Sequence, residues 1–347
     1  MTLNPSSSAT PRWIALFPGQ GSQFVGMGKE LLENFREARD TFEEASDAIQ
    51  LDLKKLCLEG PEDQLILTEN TQPSLLTASV AAFRVAQKEC DLRPSAFAGH
   101  SLGEYSALVA AGALPLAESV RWVRARGKAM QEAVPPGQGT MAAVLNLEDA
   151  RIEALCARAT ANALEKRKVA DASAWTVEAL VQPANFNSAG QTVIAGSRDA
   201  IDEAIALVKT DADFKGGKAL PLAVSAPFHC ALMAPARDRM AGLFTKAGRP
   251  SALMAPYVPN RTARLTSEPG VVFELLIEQV DRPVLWRQTI ESVLSSGITQ
   301  GVEFGPGKVL QGLAKRITSP TGQNLQTAGM SDLEGLRALP SFLRSSS

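Results

Sequence analysis

Residues 96–114, AFAGHSLGEYSALVAAGAL, combine a short apolar run, a tight turn and a long apolar segment. The turn GHSLG at 99–103 fits the pattern G-x-S-x-G, in which a serine stands on a sharp bend between a strand and a helix. Its two glycines permit the bend and allow close packing of the strand against the helix. The stretch therefore predicts a strand–elbow–helix unit of an α/β protein, with Ser101 at the bend.

Ser101 is the candidate nucleophile of this unit. The N-terminus of the following helix would direct its dipole and its free N–H groups toward the serine, which favours a developing oxyanion. The alternative is that Ser101 merely caps the helix. A nucleophilic serine also needs a base, which turns attention to the histidines.

The chain contains two histidines, His100 and His229. His100 adjoins the serine at the end of a strand, so its side chain points to the opposite face and is expected to pack beneath the elbow. His229 follows the predicted strand KALPLAV at 218–224, and we expect it at the carboxyl edge of the elbow's sheet. If the chain uses serine–histidine chemistry, His229 is the expected base; the alternative is a satisfied histidine without a catalytic role.

Strands alternate with helices around the elbow. RWIALFPGQGSQ at 12–23 predicts a strand that ends in a glycine loop, and VEFGPGKVLQGL at 302–313 predicts a strand, a turn and a helix. The segments 29–49 and 71–89 each have the spacing of a helix. This alternation predicts a large α/β-hydrolase-like domain with a parallel sheet.

After Gly139 the predicted order becomes βαββαβ, which is typical of a split β-α-β, ferredoxin-like domain. We expect this small domain to be inserted into the large one, with the charged segment 161–176 as an exposed excursion from it. The predicted divisions are a disordered tail (1–11), the large domain (12–138 and 219–318), the small domain (139–218) and a C-terminal extension with a loose end (319–347).

Composition narrows the function classes. The chain of 347 residues has a formal net charge of −2, so it lacks the excess of basic residues that is typical of proteins that bind nucleic acids or membrane surfaces. Its four cysteines are scattered, which argues against a Cys/His metal site, and Cys230 is expected to be a packing residue. The N-terminus has no signal-peptide pattern and no run has the length of a membrane span, so we expect a cytoplasmic protein.

Two further features each have both a functional and a purely structural interpretation. The glycine loop at 17–23 has backbone N–H groups available as an oxyanion donor, but a plain strand-to-helix turn explains it equally well. Arg126 lies beside Val123 and Met130, at the edge of a buried helical stripe, where a guanidinium needs an anionic partner. That partner is either an internal acid or a substrate carboxylate.

Together these segments resemble the malonyl-CoA:acyl carrier protein transacylases and their relatives in fatty-acid and polyketide synthases. The matching stretches run in family order from about residue 13 to about residue 315: FPGQGSQFVGMG, TQPSLL, GHSLGEYSALVAAGAL, RGKAMQEA, GTMAAVL, NFNSAGQTVIAG, PFHCALM and VEFGPGKVL. The combination of FPGQGSQ with GHSLGEY is far more specific than G-x-S-x-G alone.

The resemblance implies a role for each residue of the site. Ser101 would carry the acyl group and His229 would be its general base. The backbone N–H groups of Gln20 and Leu102 would form the oxyanion hole. Arg126 would hold the free carboxylate of malonate.

Four more positions follow from the same resemblance. Gln279 would orient His229 through its backbone carbonyl, and Asn260 matches a site residue more loosely. Met130 and Phe228 are expected to line the site. In the synthase relatives a phenylalanine at the place of Phe228 accompanies malonyl rather than methylmalonyl units, and its ring would fill the space of a methyl branch. The longer small domain is a departure, so docking there is expected to differ.

The implied reaction is a ping-pong transfer of malonyl from malonyl-CoA to the phosphopantetheine thiol of acyl carrier protein, in a cleft between the domains. It implies a coenzyme A thioester as substrate, acyl carrier protein as partner, no permanently bound cofactor or metal, and a monomer. The alternatives are supply of a polyketide pathway in trans, a serine esterase or thioesterase, and a non-catalytic module of a lipid-synthesis complex.

Overall fold

The structure, a computed structural model, describes residues 12–169, 176–319 and 321–345. The predicted disordered tail, 1–11, lies outside the described residues, as do residues 170–175 of the predicted excursion. Within the described ranges, no helix is both long and apolar enough to cross a lipid bilayer.

The strands form two sheets. Their bounds are β1 (Trp13–Phe17), β2 (Ala96–Gly99), β3 (Gly139–Leu145), β4 (Val181–Ser188), β5 (Gln191–Ser197), β6 (Lys218–Pro221), β7 (Tyr257–Val258), β8 (Gln300–Phe304) and β9 (Gln326–Met330). The first sheet is parallel with the order β7-β2-β1-β8-β9, and the second is antiparallel with the order β4-β5-β3-β6. The predicted α/β class with a parallel sheet and an inserted ferredoxin-like unit is thereby confirmed.

Helices cover both sheets. Their bounds are α1 (Lys29–Asn34), α2 (Arg36–Ile49), α3 (Leu53–Glu59), α4 (Glu62–Leu65), α5 (Thr68–Cys90), α6 (Gly103–Ala110), α7 (Leu116–Glu132), α8 (Asp149–Val169), α9 (Arg198–Thr210), α10 (Ala234–Phe244), α11 (Val272–Asp281), α12 (Trp286–Ser295), α13 (Val309–Ala314) and α14 (Leu333–Arg344).

The parallel sheet brings three loops to one edge. Strand β1, WIALF, is buried along its whole length, as expected of a central strand covered on both faces. It pairs with β2 so that Phe17 lies opposite Gly99, and with β8 so that Leu16 lies opposite Glu303. The glycine loop after β1, the elbow after β2 and the turn after β8 therefore leave the sheet at the same carboxyl edge.

The antiparallel sheet packs α8 and α9 over a separate apolar core. It runs from β3 to β6, so it ends at Pro221, past the predicted boundary at 218. Its edge strand β4 joins the rest of the protein, since Phe186 N–H donates to Val284 O at 3.0 Å and Val284 N–H donates to Ala184 O at 2.9 Å.

The segment 29–49 is not the single helix that its spacing predicts. Phe35, between α1 and α2, has an extended backbone (φ −123°, ψ 135°) and its side chain packs against the main core. The half-buried ring makes a long-range contact that periodicity does not reveal.

The predicted excursion at 161–176 is wrong for its first part, because α8 continues to Val169. The clustered charges there pair with the neighbouring helix α9. Arg167 Nε donates to Asp199 Oδ2 at 2.6 Å, and Lys166 pairs with Glu203. These ion pairs explain a charged stretch that the sequence alone presented as irregular.

The prediction of a loose C-terminal end is also wrong for the described part of that segment, and residues 346–347 lie outside the described residues. Strand β9 extends the parallel sheet beside β8, and α14 follows it with Leu336, Leu339 and Leu343 buried. Asp332 begins the helix by accepting a hydrogen bond from Gly335 N–H at 2.8 Å. As far as Ser345, the last described residue, the extension is thus a packed part of the large sheet layer.

Candidate active site

The elbow places Ser101 in a conformation that few residues adopt. Its φ is +52°, in the left-handed region, between the end of β2 and the start of α6. A Cβ on Gly99 would lie 1.9 Å from Gly103 O, and a Cβ on Gly103 would lie 2.0 Å from Phe17 O. Both glycines are therefore required by close packing, and the predicted strand–elbow–helix unit is confirmed.

His229 lies against the serine. Its Nε2 is 2.7 Å from Ser101 Oγ, and its Nδ1 is 2.8 Å from the backbone oxygen of Gln279. A carbonyl oxygen only accepts, so Nδ1 carries the proton and donates it, which leaves Nε2 free to accept from the serine hydroxyl. Burial, aided by the positive charge of Arg126, lowers the pKa of His229 to about 3. The imidazole is therefore neutral at neutral pH, with Nε2 unprotonated.

The expected reason for the position of His229 is wrong. The strand before it, β6, belongs to the antiparallel sheet and not to the sheet of the elbow. The loop after β6 carries His229 to Ser101, where its backbone has a φ of +61° and Gln279 O holds its ring.

Arg126 of α7 is buried directly beside the nucleophile. Its Nη2 donates to Ser101 Oγ at 3.1 Å and to Gln279 Oε1 at 2.8 Å, and its Nη1 donates to Gln72 Oε1 at 2.9 Å. Among the described residues, no carboxylate lies within ion-pair distance of it, and its Nε has no hydrogen-bond partner. The internal ion pair left open by the sequence is therefore not formed there, and the guanidinium has unused capacity for an anion.

Gln279, near the end of α11, joins these groups. While its backbone oxygen accepts from His229, its side-chain Oε1 accepts from Arg126. Its Nε2 donates to Ser101 O at 2.9 Å and to Glu104 Oε2 at 2.6 Å. One residue thus holds the base, the cation and the backbone of the elbow.

Asn260, which follows β7, fastens the elbow to its strand. Its Oδ1 accepts from Ser101 N–H at 2.7 Å, and its Nδ2 donates to Gly99 O at 2.7 Å. Because these contacts lie on both sides of the bend, they hold the strained serine in place.

The glycine loop after β1 lies across the elbow. A Cβ on Gly19 would be 2.5 Å from His100 O, so only glycine permits this approach. In the described part of the chain, the N–H groups of Gln20 and Leu102 donate no hydrogen bond. Both are therefore free to bind a negatively charged oxygen.

Comparison with known proteins decides the family. A family model described as an acyl transferase domain matches residues 14–334. This chain belongs to the acyl transferase family. The malonyl CoA-acyl carrier protein transacylase of Escherichia coli (strain K12) is 43% identical over 303 residues, which are 87% of this chain and 91% of that protein.

Solved structures agree. The acyl-carrier-protein S-malonyltransferase of Burkholderia pseudomallei 1710b is 40% identical, with a TM-score of 0.85 over 95% of this chain and 99% of that chain. A malonyl-transacylase in complex with its type II PKS acyl-carrier protein is also 40% identical, with a TM-score of 0.84 over 94% of this chain and 98% of that one. The family resemblance predicted from the sequence is confirmed.

His100 of the acyl transferase faces the second sheet. Its Nε2 is 2.9 Å from Asn187 Oδ1 in β4, and its ring centre is 5.4 Å from that of Trp286. Burial lowers the pKa of His100. The histidine beside the serine thus links the elbow to β4.

Met130 and Phe228 are both buried in the acyl transferase. Met130 lies one turn beyond Arg126 in α7, and Phe228 directly precedes His229. Their role in lining the site stays a prediction. Within the described ranges, no group of three or more His, Cys, Asp or Glu side chains is arranged to hold a metal ion.

Two residues of this network were not singled out from the sequence. Gln72 lies within the family stretch TQPSLL, but its contact with Arg126 depends on how α5 packs against α7. Glu104 did carry a signal, since it is the only charged residue between Ser101 and Pro115. A carboxyl in so apolar a helix has to find partners inside the protein.

Proposed function

We propose that this acyl transferase moves a malonyl group from malonyl-CoA to the phosphopantetheine thiol of an acyl carrier protein, through an ester on Ser101. The observation that carries the proposal is the buried guanidinium of Arg126, 3.1 Å from the nucleophilic oxygen and without an acidic partner among the described residues. In malonyl a single methylene separates the reacting carbonyl from the free carboxylate, so a carboxylate-binding cation has to lie close to the nucleophile.

In the first half-reaction Ser101 Oγ attacks the thioester carbonyl while its proton passes to His229 Nε2. The carbonyl oxygen becomes an oxyanion, which accepts hydrogen bonds from the N–H groups of Leu102 and Gln20. The carbon–sulfur bond then breaks, the coenzyme A sulfur takes the proton from His229, and malonyl remains on the serine.

In the second half-reaction the carrier-protein thiol gives its proton to His229 and its sulfur attacks the ester carbonyl. The same two N–H groups hold the oxyanion. When the carbon–oxygen bond breaks, Ser101 recovers the proton from His229. Gln279 O keeps the imidazole in the required tautomer through both steps.

Arg126 selects the acyl group and protects the ester. Binding the malonyl carboxylate gives the buried guanidinium the anion that the described residues do not supply at ion-pair distance. The bound carboxylate also displaces water from beside the guanidinium, which reduces the amount of water close to the ester. An esterase needs neither effect, so the position of Arg126 favours transfer over hydrolysis.

The remaining parts of the proposal are a monomer in the cytoplasm without a resident cofactor. Support for a monomer comes from the site itself, because one chain supplies Ser101, His229, Arg126 and Gln279. The cytoplasm is the compartment expected for a coenzyme A thioester and a carrier protein. The pathway we propose is fatty-acid synthesis; supply of a polyketide pathway is the second candidate, favoured by the likeness to the type II PKS complex.

The test is transfer between purified components. Enzyme, malonyl-CoA and holo acyl carrier protein are mixed, and the carrier is followed by intact mass. We expect malonyl-carrier to form with the enzyme and not without it. Formation of free malonate and coenzyme A, with an unmodified carrier, would instead identify a thioesterase.

A further inference from the structure

Glu104 is a fully buried acid beside the site that the proposed mechanism does not use. It lies in the first turn of α6, three residues after Ser101, and 0% of its surface is exposed. Its Oε2 accepts from Gln279 Nε2 at 2.6 Å and from Asn260 N–H at 3.1 Å. Its partners are therefore the two residues that hold Arg126 and the elbow.

The contacts of Gln279 decide which way its amide faces. The NH2 group faces three acceptors, Glu104 Oε2 at 2.6 Å, Ser101 O at 2.9 Å and Asn260 Oδ1 at 3.4 Å, while the amide oxygen faces the Arg126 guanidinium. The reversed amide would place its oxygen against these acceptors and its NH2 group against a cation. The shortest of the three acceptor contacts is the one to Glu104, so this carboxyl contributes strongly to the observed orientation.

Orientation of this amide matters for the substrate. Arg126 has two side-chain acceptors besides Ser101, namely Gln72 Oε1 and Gln279 Oε1. If the Gln279 amide turned over, the guanidinium would lose one of them and would be held beside Ser101 Oγ by Gln72 alone. An acyl group with a carboxylate depends on that position more than an acetyl group does.

We propose that Glu104 is a positioning residue for malonyl selectivity, because its carboxyl oxygen fixes the Gln279 amide that in turn holds Arg126 beside Ser101. This inference rests on the proposed malonyl transfer. Glu104 Oε1 has no hydrogen-bond partner among the described residues. Protonation of Oε1, or its replacement by an amide NH2, leaves Oε2 in place as an acceptor. The positioning of the Gln279 amide therefore depends on the acceptor oxygen and not on the negative charge of the carboxylate.

The test compares Glu104→Gln with Glu104→Met. Glutamine retains an acceptor oxygen, whereas methionine has similar length and no acceptor. The measurement is kcat/KM for loading of the enzyme by malonyl-CoA and by acetyl-CoA, followed by intact mass. We expect the malonyl-to-acetyl ratio to fall about tenfold in Glu104→Met, the size of one hydrogen bond to a charged network, and to stay within about threefold of wild type in Glu104→Gln.

If the role of Glu104 were purely structural, Glu104→Met would lower kcat/KM for both substrates equally and leave the malonyl-to-acetyl ratio unchanged. Glu303→Met is the matched control, because Glu303 is a buried acid that accepts from Leu310 N–H and Gln311 N–H at the start of α13. We expect it to lower the melting temperature without changing the ratio. If Glu104→Met does not fold, Glu104→Asp withdraws the acceptor by one methylene and should lower the ratio likewise.

An unchanged ratio in the folded Met or Asp variant overturns the inference, and so does an equal fall in Glu104→Gln. Either result leaves the proposed function intact as long as wild type accepts malonyl. If wild type itself acquires no malonyl, the proposed function fails instead.

Discussion

Replacement of Arg126 by alanine separates substrate recognition from general catalysis. Two effects of different size are expected. The hydrogen bond of 3.1 Å from Arg126 to Ser101 Oγ is lost for every substrate, at about 1 kcal/mol, or roughly fivefold in kcat/KM. For malonyl alone, the ion pair between Arg126 and the malonyl carboxylate in a buried site is lost as well. The total loss for this substrate is then about 3 kcal/mol, or roughly a hundredfold in kcat/KM.

We therefore expect the malonyl-to-acetyl ratio to fall by about twentyfold in Arg126→Ala, the quotient of those two losses. The assay is single-turnover loading with each coenzyme A thioester, read by intact mass. Arg121→Ala is the control, since Arg121 lies on the same helix but is exposed and paired with Glu118. Equal losses for both substrates, in a variant that melts like wild type, would refute a carboxylate-binding role.

Three further outcomes are expected. His229→Ala should slow loading by about a hundredfold or more, whereas His100→Ala should lower the melting temperature and retain loading; the opposite result would exchange their roles. Gly103→Ala should not give a folded, active protein, since its Cβ would meet Phe17 O at 2.0 Å, and a normal thermal melt would contradict this packing. The pKa of His229 is lowered to about 3 in the folded protein, whereas a histidine in the unfolded chain has a pKa of about 6.5. Between these pH values only the unfolded chain binds the proton, so the free energy of unfolding decreases as pH falls through this range. In urea titrations at pH 7 and pH 5, wild type should lose about 2 kcal/mol more than His229→Asn, and equal losses would place the His229 pKa near its ordinary value.

The elbow and its sheet could be predicted because their requirements are local. Gly99 and Gly103 are needed for contacts within a few residues of the bend or with the next strand, and the G-x-S-x-G pattern states them directly. The buried run of β1 and the βαββαβ order were likewise readable from apolar spacing.

The errors arose where distant contacts override spacing. Phe35 has an extended backbone between two helices, and its ring packs against the main core. The charges around Arg167 look irregular until α9 supplies Asp199 and Glu203. The C-terminal strand β9 is too polar to stand out, but it has β8 as a neighbour.

The candidate site divides in the same way. Residue types and family motifs identified Ser101, His229 and Arg126, and the structure brings them together. Neither motif nor spacing showed that Arg126 lacks an ion-pair partner among the described residues, or that Glu104 contacts Gln279. Both facts depend on the packing of α5, α6, α7 and α11, which the sequence does not display.

The proposed mechanism is tested most simply by locating the acyl group on the protein after brief exposure to malonyl-CoA. Rapid acid quenching, proteolysis and peptide mass analysis would locate it. We expect one malonyl group, on Ser101, and none in Ser101→Ala. Malonyl on another residue, or full loading of Ser101→Ala, would contradict the proposed mechanism.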